Sequence, residues 1–218
     1  MVRRAPARLL LLLPLVLGVA VAAGEVDSRA SLTAGIEAAR SGNLEGLRTA
    51  LRVGVELDGR EDGSGQTMLM AACLAGQANA VKYLLSKGAD WRVGEKDGYT
   101  PMHGAAFQGR DLVAAALLEA GVPADGGDLH PDGYPPVFRA VWGQRTGHLK
   151  VIKLLVGGGH VDINVLDAAG KSLLDHALER SNNGAARYLV HAGEHPPSPP
   201  AQIPLIITKA YAGISAHL

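Results

Sequence analysis

The apolar residues of this chain recur in paired runs at helical spacing, separated by glycine turns. Between Gly98 and Leu118, a first apolar run follows a Gly-Tyr-Thr-Pro turn, stops at Gly109 and is succeeded by a second run. This pattern predicts a short helix, a tight turn and a second helix. Because neither helix could bury its apolar face alone, the unit requires neighbours of the same kind.

Similar units occur along most of the chain. Four glycines begin successive units at intervals of 33, 35 and 37 residues: Gly65, Gly98, Gly133 and Gly170. A first unit, Gly35–Leu51, keeps the paired runs but lacks the opening turn. A near-constant interval of this length is typical of a solenoid, in which each unit packs on its neighbours.

Two units carry a motif that is similar to that of the ankyrin-repeat family. Thr100-Pro101-Met102-His103 precedes the small pair Ala105-Ala106. In the unit before it, Thr67-Met68-Leu69 precedes Leu84-Leu85 and Gly88-Ala89-Asp90. The chain therefore resembles this family, and the resemblance covers residues 32–193.

The later units depart from the motif. Pro135 and Ser172 stand in the place of the opening threonine, and Phe138 and Asp175 stand in the place of His103. We therefore expect these units to follow the same fold with altered turns.

The resemblance implies an all-α fold, an ankyrin-repeat solenoid of stacked helix-turn-helix units with short β-turn fingers. It implies about five repeats within residues 24–195, at residues 31–54, 63–95, 96–130, 131–167 and 168–195. It also implies four structural turn residues, among which the histidine braces the turn by hydrogen bonding to backbone: Thr67, Thr100, Pro101 and His103. Members of the family serve almost any protein partner, so the resemblance indicates a fold more strongly than a function.

The first 23 residues have the pattern of a secretory signal peptide. Arg3, Arg4 and Arg8 give a basic start, Leu9–Ala23 is an apolar run, and small residues at its end suit cleavage. The run of about 15 residues is shorter than the roughly 20 that span a bilayer. We expect an exported protein, in the secretory pathway, secreted or periplasmic, and an uncleaved N-terminal anchor is the alternative.

The last segment, residues 196–218, is a proline-rich linker followed by an apolar tail. The prolines favour an extended conformation. Gln202–Leu218 regains apolar residues with a single charge at Lys209. Two predictions stay open for this tail: it folds back over the last repeat, or it is a disordered end or short docking peptide.

The single cysteine, Cys73, rules out an internal disulfide bond. An exported domain of this kind must be held by its apolar stack. The position of Cys73 beside Ala72 on a first helix predicts a buried core thiol. An intermolecular disulfide or a redox role is the alternative.

Charge and motif content argue against several function classes. The chain has 21 basic and 21 acidic residues and no basic run, so no nucleic acid partner is expected. It contains no HExxH, GxSxG or P-loop motif. The fingers between repeats should place acidic side chains such as Glu61 and Asp132 at exposed tips, and the third finger lacks a calcium-loop pattern. We expect no enzyme activity, no cofactor and no metal.

Laying the repeats over each other selects nine residues for the concave groove where, by the resemblance, partners bind. We call the surface formed by these nine residues the groove surface. One set follows the small residues of each first helix: Arg40, Leu74, Phe107, Trp142 and Glu179. The other precedes each turn threonine or its substitute: Gln66, Tyr99, Tyr134 and Lys171.

Four aromatic residues of the groove surface are predicted to form one cluster in its middle: Tyr99, Phe107, Tyr134 and Trp142. Leu74 extends the cluster, and Arg40 and Glu179 flank it. Exposed aromatic residues are frequent in binding surfaces. The alternative is that they fill gaps beneath the irregular repeats.

These patterns together predict a non-catalytic protein–protein interaction module, monomeric, that binds a protein partner through the groove surface. A second hypothesis, implied by the resemblance to exported ankyrin proteins, is a protective or accessory partner of an envelope or oxidative-stress enzyme.

Overall fold

The computed structural model describes residues 28–128 and 132–194. Within these ranges ten α-helices follow one another in five pairs: α1 Ser28–Ser41 and α2 Leu44–Arg52; α3 Met68–Ala75 and α4 Ala78–Ser86; α5 Pro101–Gln108 and α6 Asp111–Glu119; α7 Pro136–Trp142 and α8 Thr146–Ile152; α9 Leu173–Glu179 and α10 Asn183–Glu194. The predicted signal peptide, residues 1–23, and the predicted tail, residues 196–218, lie outside the described residues.

The helices form two layers. Each odd-numbered helix packs on the next odd-numbered helix, from α1 through α9, and the even-numbered helices pack on one another in the same way. The two helices of each pair also pack together. No strand occurs in the described ranges, apart from an isolated bridge between Leu166 and Ser172. This architecture is the all-α ankyrin-repeat solenoid that the repeat pattern predicts, and the prediction of the fold is confirmed.

Small side chains allow the odd-numbered helices to pack closely. One register position holds alanine in all five of them, buried in every case: Ala38, Ala72, Ala105, Ala140 and Ala177. One residue earlier, a side chain at Gly104 would meet Leu74 Cδ2 and Met70 Sδ at 3.1 Å. The small residues therefore set the distance between layers of the stack.

Side-chain caps begin three of the odd-numbered helices. Thr67 Oγ1 accepts a hydrogen bond from the Met70 N–H at 3.2 Å. Ser172 and Asp175 form a reciprocal capping box, in which the Asp175 carboxylate accepts from the Ser172 N–H at 2.8 Å. Pro101 is the first residue of α5, where its missing N–H costs nothing. Asp175 therefore performs in α9 a task that His103 performs in α5.

His103 joins the turn of its own pair to the next pair. Its Nδ1 accepts from the Thr100 N–H at 3.4 Å and lies 2.8 Å from Thr100 Oγ1. Its Nε2 lies 3.2 Å from the carbonyl oxygen of Tyr134. Because a carbonyl only accepts, Nε2 carries the hydrogen and donates it. His103 is 1% exposed, so this bracing takes place in the interior.

A second pattern of hydrogen bonds ties each pair to the one before it. A side chain at the start of each even-numbered helix, from α4 onward, donates to a carbonyl near the end of the odd-numbered helix in the preceding pair. The bonds are Gln77 Nε2 to Arg40 O at 3.0 Å, Arg110 Nε to Leu74 O at 3.0 Å, His148 Nε2 to Phe107 O at 2.9 Å and Asn182 Nδ2 to Val141 O at 2.9 Å. They satisfy carbonyls that a helix end leaves unpaired.

Two local features depart from a regular stack of short helices. The first helix, α1, begins at Ser28, before the first repeat predicted at residues 31–54. A π-helical segment, Lys153–Gly157, continues α8. Elsewhere the fully buried Cys73 is the core thiol that was predicted, and burial raises its pKa.

The expectation that acidic residues lie at exposed finger tips is wrong for Glu61. Its side chain is 22% exposed because its carboxylate accepts hydrogen bonds from Arg40 and Ser64. The Asp132 side chain is 34% exposed and pairs with the buried Arg139. These carboxylates connect the fingers to the odd-numbered helices instead of standing free in solvent.

Candidate partner-binding groove

The two residue sets of the groove surface face one another in the structure. Arg40 Nη2 donates to Gln66 Oε1 at 3.1 Å. The rings of Tyr134 and Trp142 have centroids 5.1 Å apart, and Lys171 Nζ donates to Glu179 Oε1 at 2.6 Å. Each contact joins one member of each set, so the structure brings side chains of the two sets together. Whether a partner binds there stays a prediction.

Three of the four predicted aromatics surround a buried arginine. The guanidinium carbon of Arg139 lies 4.9 Å from the ring centroid of Tyr99, 5.6 Å from that of Tyr134 and 4.6 Å from that of Trp142. We call these four residues the Arg139 cluster. Arg139 is 6% exposed, whereas the three aromatic residues are half-buried. Each ring therefore presents an edge or face to solvent while it contacts a cation.

Arg139 is only partly satisfied by its surroundings. Its Nη2 donates to Asp132, the last residue of the third finger, residues 122–132. Its Nε is the one buried side-chain nitrogen or oxygen without a hydrogen-bond partner in the described part of the chain. A buried donor without a hydrogen-bond partner lowers the stability of the fold. The Nε of Arg139 is such a donor.

Trp142 is held in place through a buried chain of hydrogen bonds. Its Nε1 donates to His176 Nδ1 at 3.2 Å, so the histidine hydrogen lies on Nε2, which donates to Asp167 Oδ2 at 2.8 Å. Burial alone would raise the pKa of Asp167, but hydrogen bonds from the Lys171 N–H, from His176 and from the Ala169 N–H outweigh it and lower that pKa. The last finger thereby fixes an aromatic side chain of the groove surface.

A second arginine contacts the opposite end of the cluster. The guanidinium carbon of Arg180 lies 4.8 Å from the ring centroid of Trp142. Arg180 is exposed, and no carboxylate in the described ranges pairs with it. Two guanidinium groups therefore share one indole ring.

Phe107 and Leu74 lie apart from the Arg139 cluster. Phe107 is 58% exposed, and its ring makes no aromatic contact with the other described residues. Its carbonyl accepts the hydrogen bond from His148 described above. Leu74 is half-buried. The structure thus assembles three of the four predicted aromatics into one cluster and leaves Phe107 as a separate exposed apolar position.

The groove surface is more acidic on the N-terminal side. Arg40 pairs with Glu61 at 3.1 Å and contacts Gln66, and Gln66 Nε2 donates to Glu95 Oε1 at 2.8 Å. Burial raises the pKa of Glu95 and the nearby Asp97 adds to this, while the hydrogen bond from Gln66 opposes both. We call Arg40 and Gln66, together with the neighbouring carboxylates of Glu61 and Glu95, the N-terminal half of the groove surface.

At the C-terminal end of the groove surface, Lys171 and Glu179 form an ion pair at 2.6 Å. The hydrogen bond with Glu179 and its negative charge raise the pKa of Lys171. We call the Arg139 cluster together with Lys171, Glu179 and Arg180 the C-terminal half. The two halves thus differ in the sign of their unpaired charge.

Sequence reasoning missed Arg139 and His176. Both occupy the register position that holds Ala71 in α3 and Gly104 in α5. A large polar residue at a position that is otherwise small and buried was the available signal. A large polar side chain at such a position needs hydrogen-bonding or charged partners in the interior. For Arg139 and His176 these partners are aromatic rings and carboxylates.

Among the described residues, no group of three or more histidine, cysteine or acidic side chains could hold a metal ion. Helices long and apolar enough to cross a bilayer do not occur in residues 28–128 and 132–194. The third finger, whose spacing lacks the calcium-loop pattern, includes His130, which lies outside the described residues.

Comparison with known proteins agrees with the fold. Residues 35–128 match the family model of ankyrin repeats in three copies. Over 140 residues the chain is 34% identical to the E3 ubiquitin-protein ligase Ufd4 of Drosophila melanogaster and 30% identical to neurogenic locus notch homolog protein 1 of Mus musculus. Over 85 residues it is 36% identical to the inactive serine/threonine-protein kinase TEX14 of Bos taurus.

These matches are confined to a small part of each relative. They cover 62%, 64% and 39% of this chain, but only 5%, 5% and 6% of the ligase, the notch protein and the kinase. The chain therefore resembles one segment of each relative. The ankyrin repeats matched in residues 35–128 indicate a protein–protein interaction module.

Proposed function

We propose that this chain is an exported, non-catalytic binding protein that holds a protein partner against the Arg139 cluster and Phe107. The observation that carries the proposal is the cluster itself. Three half-buried aromatic side chains are fixed around a buried cation, with a fully packed core behind them. Tyrosine, tryptophan and arginine are the residue types that dominate binding energy in protein interfaces.

The rigidity of the cluster supports the same function. Trp142 is anchored through His176 to Asp167, and Tyr134 offers its carbonyl to His103. A side chain that is already ordered loses little conformational entropy when a partner binds. A surface held in this way suits recognition of a defined partner better than promiscuous contact.

The proposal includes two further repeats beyond the three that the family model matches. The pairs α7/α8 and α9/α10 share the buried alanine position with the earlier pairs. They also share the hydrogen bonds to the preceding pair, from His148 and Asn182. These common features support five repeats of one kind.

Export is the part of the proposal that rests on residues 1–23 alone. Fusion of a reporter enzyme behind the full chain, and behind a chain lacking residues 1–23, would measure it. We expect reporter activity outside the cytoplasm only with residues 1–23 present, and equal activity from both fusions would contradict export.

Partner capture tests the site. The chain from residue 24 onward is immobilised beside Phe107→Ala and Leu112→Ala, two variants that each remove one exposed apolar side chain. Leu112 is 69% exposed and lies on α6, in the other layer, so it is the matched control. We expect Phe107→Ala alone to lose the captured partner. Equal capture by both variants would overturn the proposed site.

A further inference from the structure

We propose that the partner presents an acidic segment, and that one of its carboxylates binds Arg180 beside Trp142. This inference rests on the proposed function and specifies the chemistry of the bound segment. It follows from three properties of the C-terminal half: its unpaired cation, its second guanidinium group on the Trp142 ring and its contrast with the N-terminal half.

The first property is a surplus positive charge. In the C-terminal half, Lys171 is neutralised by Glu179 at 2.6 Å, and Arg139 is neutralised by Asp132. Arg180 has no such partner in the described residues and is held over the Trp142 ring at 4.8 Å. A guanidinium group fixed on an aromatic face keeps its N–H groups available, and it recognises a carboxylate through two parallel hydrogen bonds.

The second property is a second guanidinium group on the same ring. Arg139 and Arg180 both contact the ring of Trp142, at 4.6 and 4.8 Å. Arg139 is 6% exposed and pairs with Asp132 through Nη2, so it adds positive charge beside the ring, whereas the exposed Arg180 is the group that a partner can reach. An anion bound to Arg180 at the rim of the ring reduces the repulsion between the two guanidinium groups.

The third property is the opposite sign of the N-terminal half. Glu95 accepts a hydrogen bond from the Gln66 amide, and Glu37 and Glu61 share one cation, Arg40, at 3.7 and 3.1 Å. An acidic segment is therefore repelled from this half and attracted to the other, which fixes its direction along the groove surface. Phe107, on α5, offers an exposed apolar contact. The segment we infer has an acidic residue next to an apolar one.

A random-peptide display library tests this inference without knowledge of the natural partner. The library is selected in parallel on the chain from residue 24 onward, on Arg180→Gln and on Arg187→Gln. Arg187 is an exposed arginine of α10, in the even-numbered layer, so its replacement removes the same charge away from the groove surface. Circular dichroism first establishes that the three proteins are equally folded.

The expected result is enrichment of peptides that carry aspartate or glutamate beside an apolar residue, on the parent and on Arg187→Gln. Binding of a synthetic peptide from that pool should weaken about tenfold to a hundredfold in Arg180→Gln. It should also weaken when the acidic residue is replaced by its amide and when salt is raised.

The other outcomes separate this inference from the proposed function. Enrichment of neutral or basic peptides whose binding requires Phe107 but not Arg180 would overturn the acidic segment and leave the groove as a binding site. Enrichment of no peptide above an empty support would overturn both. Equal loss of acidic peptides in Arg180→Gln and Arg187→Gln would show a general charge effect, and would overturn the site at Trp142.

Discussion

The two halves of the groove surface are built on the same helical register but use different chemistry. In the N-terminal half, side chains of neighbouring repeats join through hydrogen bonds among Arg40, Glu61, Gln66 and Glu95 near solvent. In the C-terminal half, Arg139 lies among aromatic rings, and His176 accepts a hydrogen bond from one of them, Trp142.

The difference arises at one register position. Ala71 and Gly104 leave α3 and α5 close to their neighbours, whereas Arg139 and His176 place long polar side chains at the same point in α7 and α9. A buried polar side chain is tolerated only where partners surround it. The C-terminal half therefore gains a rigid aromatic surface and becomes dependent on a few buried polar contacts, and its stability should be more sensitive to substitution.

The largest effect is expected from Arg139→Ala. The substitution leaves a cavity among Tyr99, Tyr134 and Trp142 and deprives Asp132 of its cation. We expect the free energy of unfolding to fall by about 2–3 kcal/mol. Urea denaturation followed by circular dichroism measures the change.

Two variants control for this prediction. Arg187→Ala removes an exposed arginine and should change stability by less than about 0.5 kcal/mol. Arg139→Met keeps much of the side-chain volume without the charge, and should lose less than Arg139→Ala. Equal losses for Arg139→Ala and Arg187→Ala would show that the cluster contributes no more than any surface position.

A smaller loss is expected from His176→Ala. The substitution leaves the Trp142 Nε1–H and the Asp167 carboxylate without their shared partner, and should cost about 2 kcal/mol. In a Trp91→Phe background the fluorescence of Trp142, the remaining tryptophan, should shift as its ring loses its anchor. His160→Ala, at an exposed histidine, is the control. An unchanged emission spectrum in His176→Ala would contradict the anchoring role.

Sequence reasoning predicted the fold and selected two sets of side chains that contact each other in the structure, but it did not predict the buried arginine among the aromatic rings. The 33- to 37-residue interval and the turn motif around Thr100 depend on local geometry, which a sequence displays directly. The position of Arg139 depends on which rings surround it, and those rings come from two different repeats. Only the substitution of arginine for a small residue in the register signalled it.

The same limit applies to the charges of the fingers. Glu61 and Asp132 look like solvated turn residues because their sequence neighbours are glycine, proline and aspartate. Their partners, Arg40 and Arg139, lie on helices 21 and seven residues away, and a composition-based expectation contains no information about them. Opposite charges on equivalent faces of adjacent repeats would have been the signal to examine.

One carboxyl group beside each half should make the stability of the fold depend on pH in opposite directions. These groups are Asp167, which holds Trp142 through His176, and Glu95. The pKa of Asp167 in the folded chain is below its ordinary value of 3.8, so its stabilising contribution is present above that value and is lost as the pH falls through the folded pKa. The pKa of Glu95 is raised above its ordinary value of 4.5, so its contribution is greatest below that value and is lost as the pH rises through the folded pKa.

Denaturation of the parent, Asp167→Asn and Glu95→Gln from pH 6 down to pH 3, a range that brackets both ordinary values, measures this contrast. Asp167→Asn should be less stable than the parent at pH 6, and the difference should narrow in acid. The free energy of unfolding of Glu95→Gln, relative to that of the parent, should increase as the pH rises towards 6. If the stability of all three proteins changes with pH in parallel, the folded chain does not shift the pKa of either carboxyl group in the direction that the structure indicates.

The smallest effect on stability, and the sharpest test of what the surface is for, is expected from Phe107→Ala. Phe107 is 58% exposed and makes no ring contact with the described residues, so its removal should change the free energy of unfolding by less than about 0.5 kcal/mol, as should Leu112→Ala. Arg139→Ala changes both folding and any bound partner, whereas Phe107→Ala should change binding alone. If denaturation shows that Phe107→Ala destabilises the fold as strongly as Arg139→Ala, then Phe107 belongs to the packing of the stack, and the contrast between a self-supporting cluster and an open contact position does not hold.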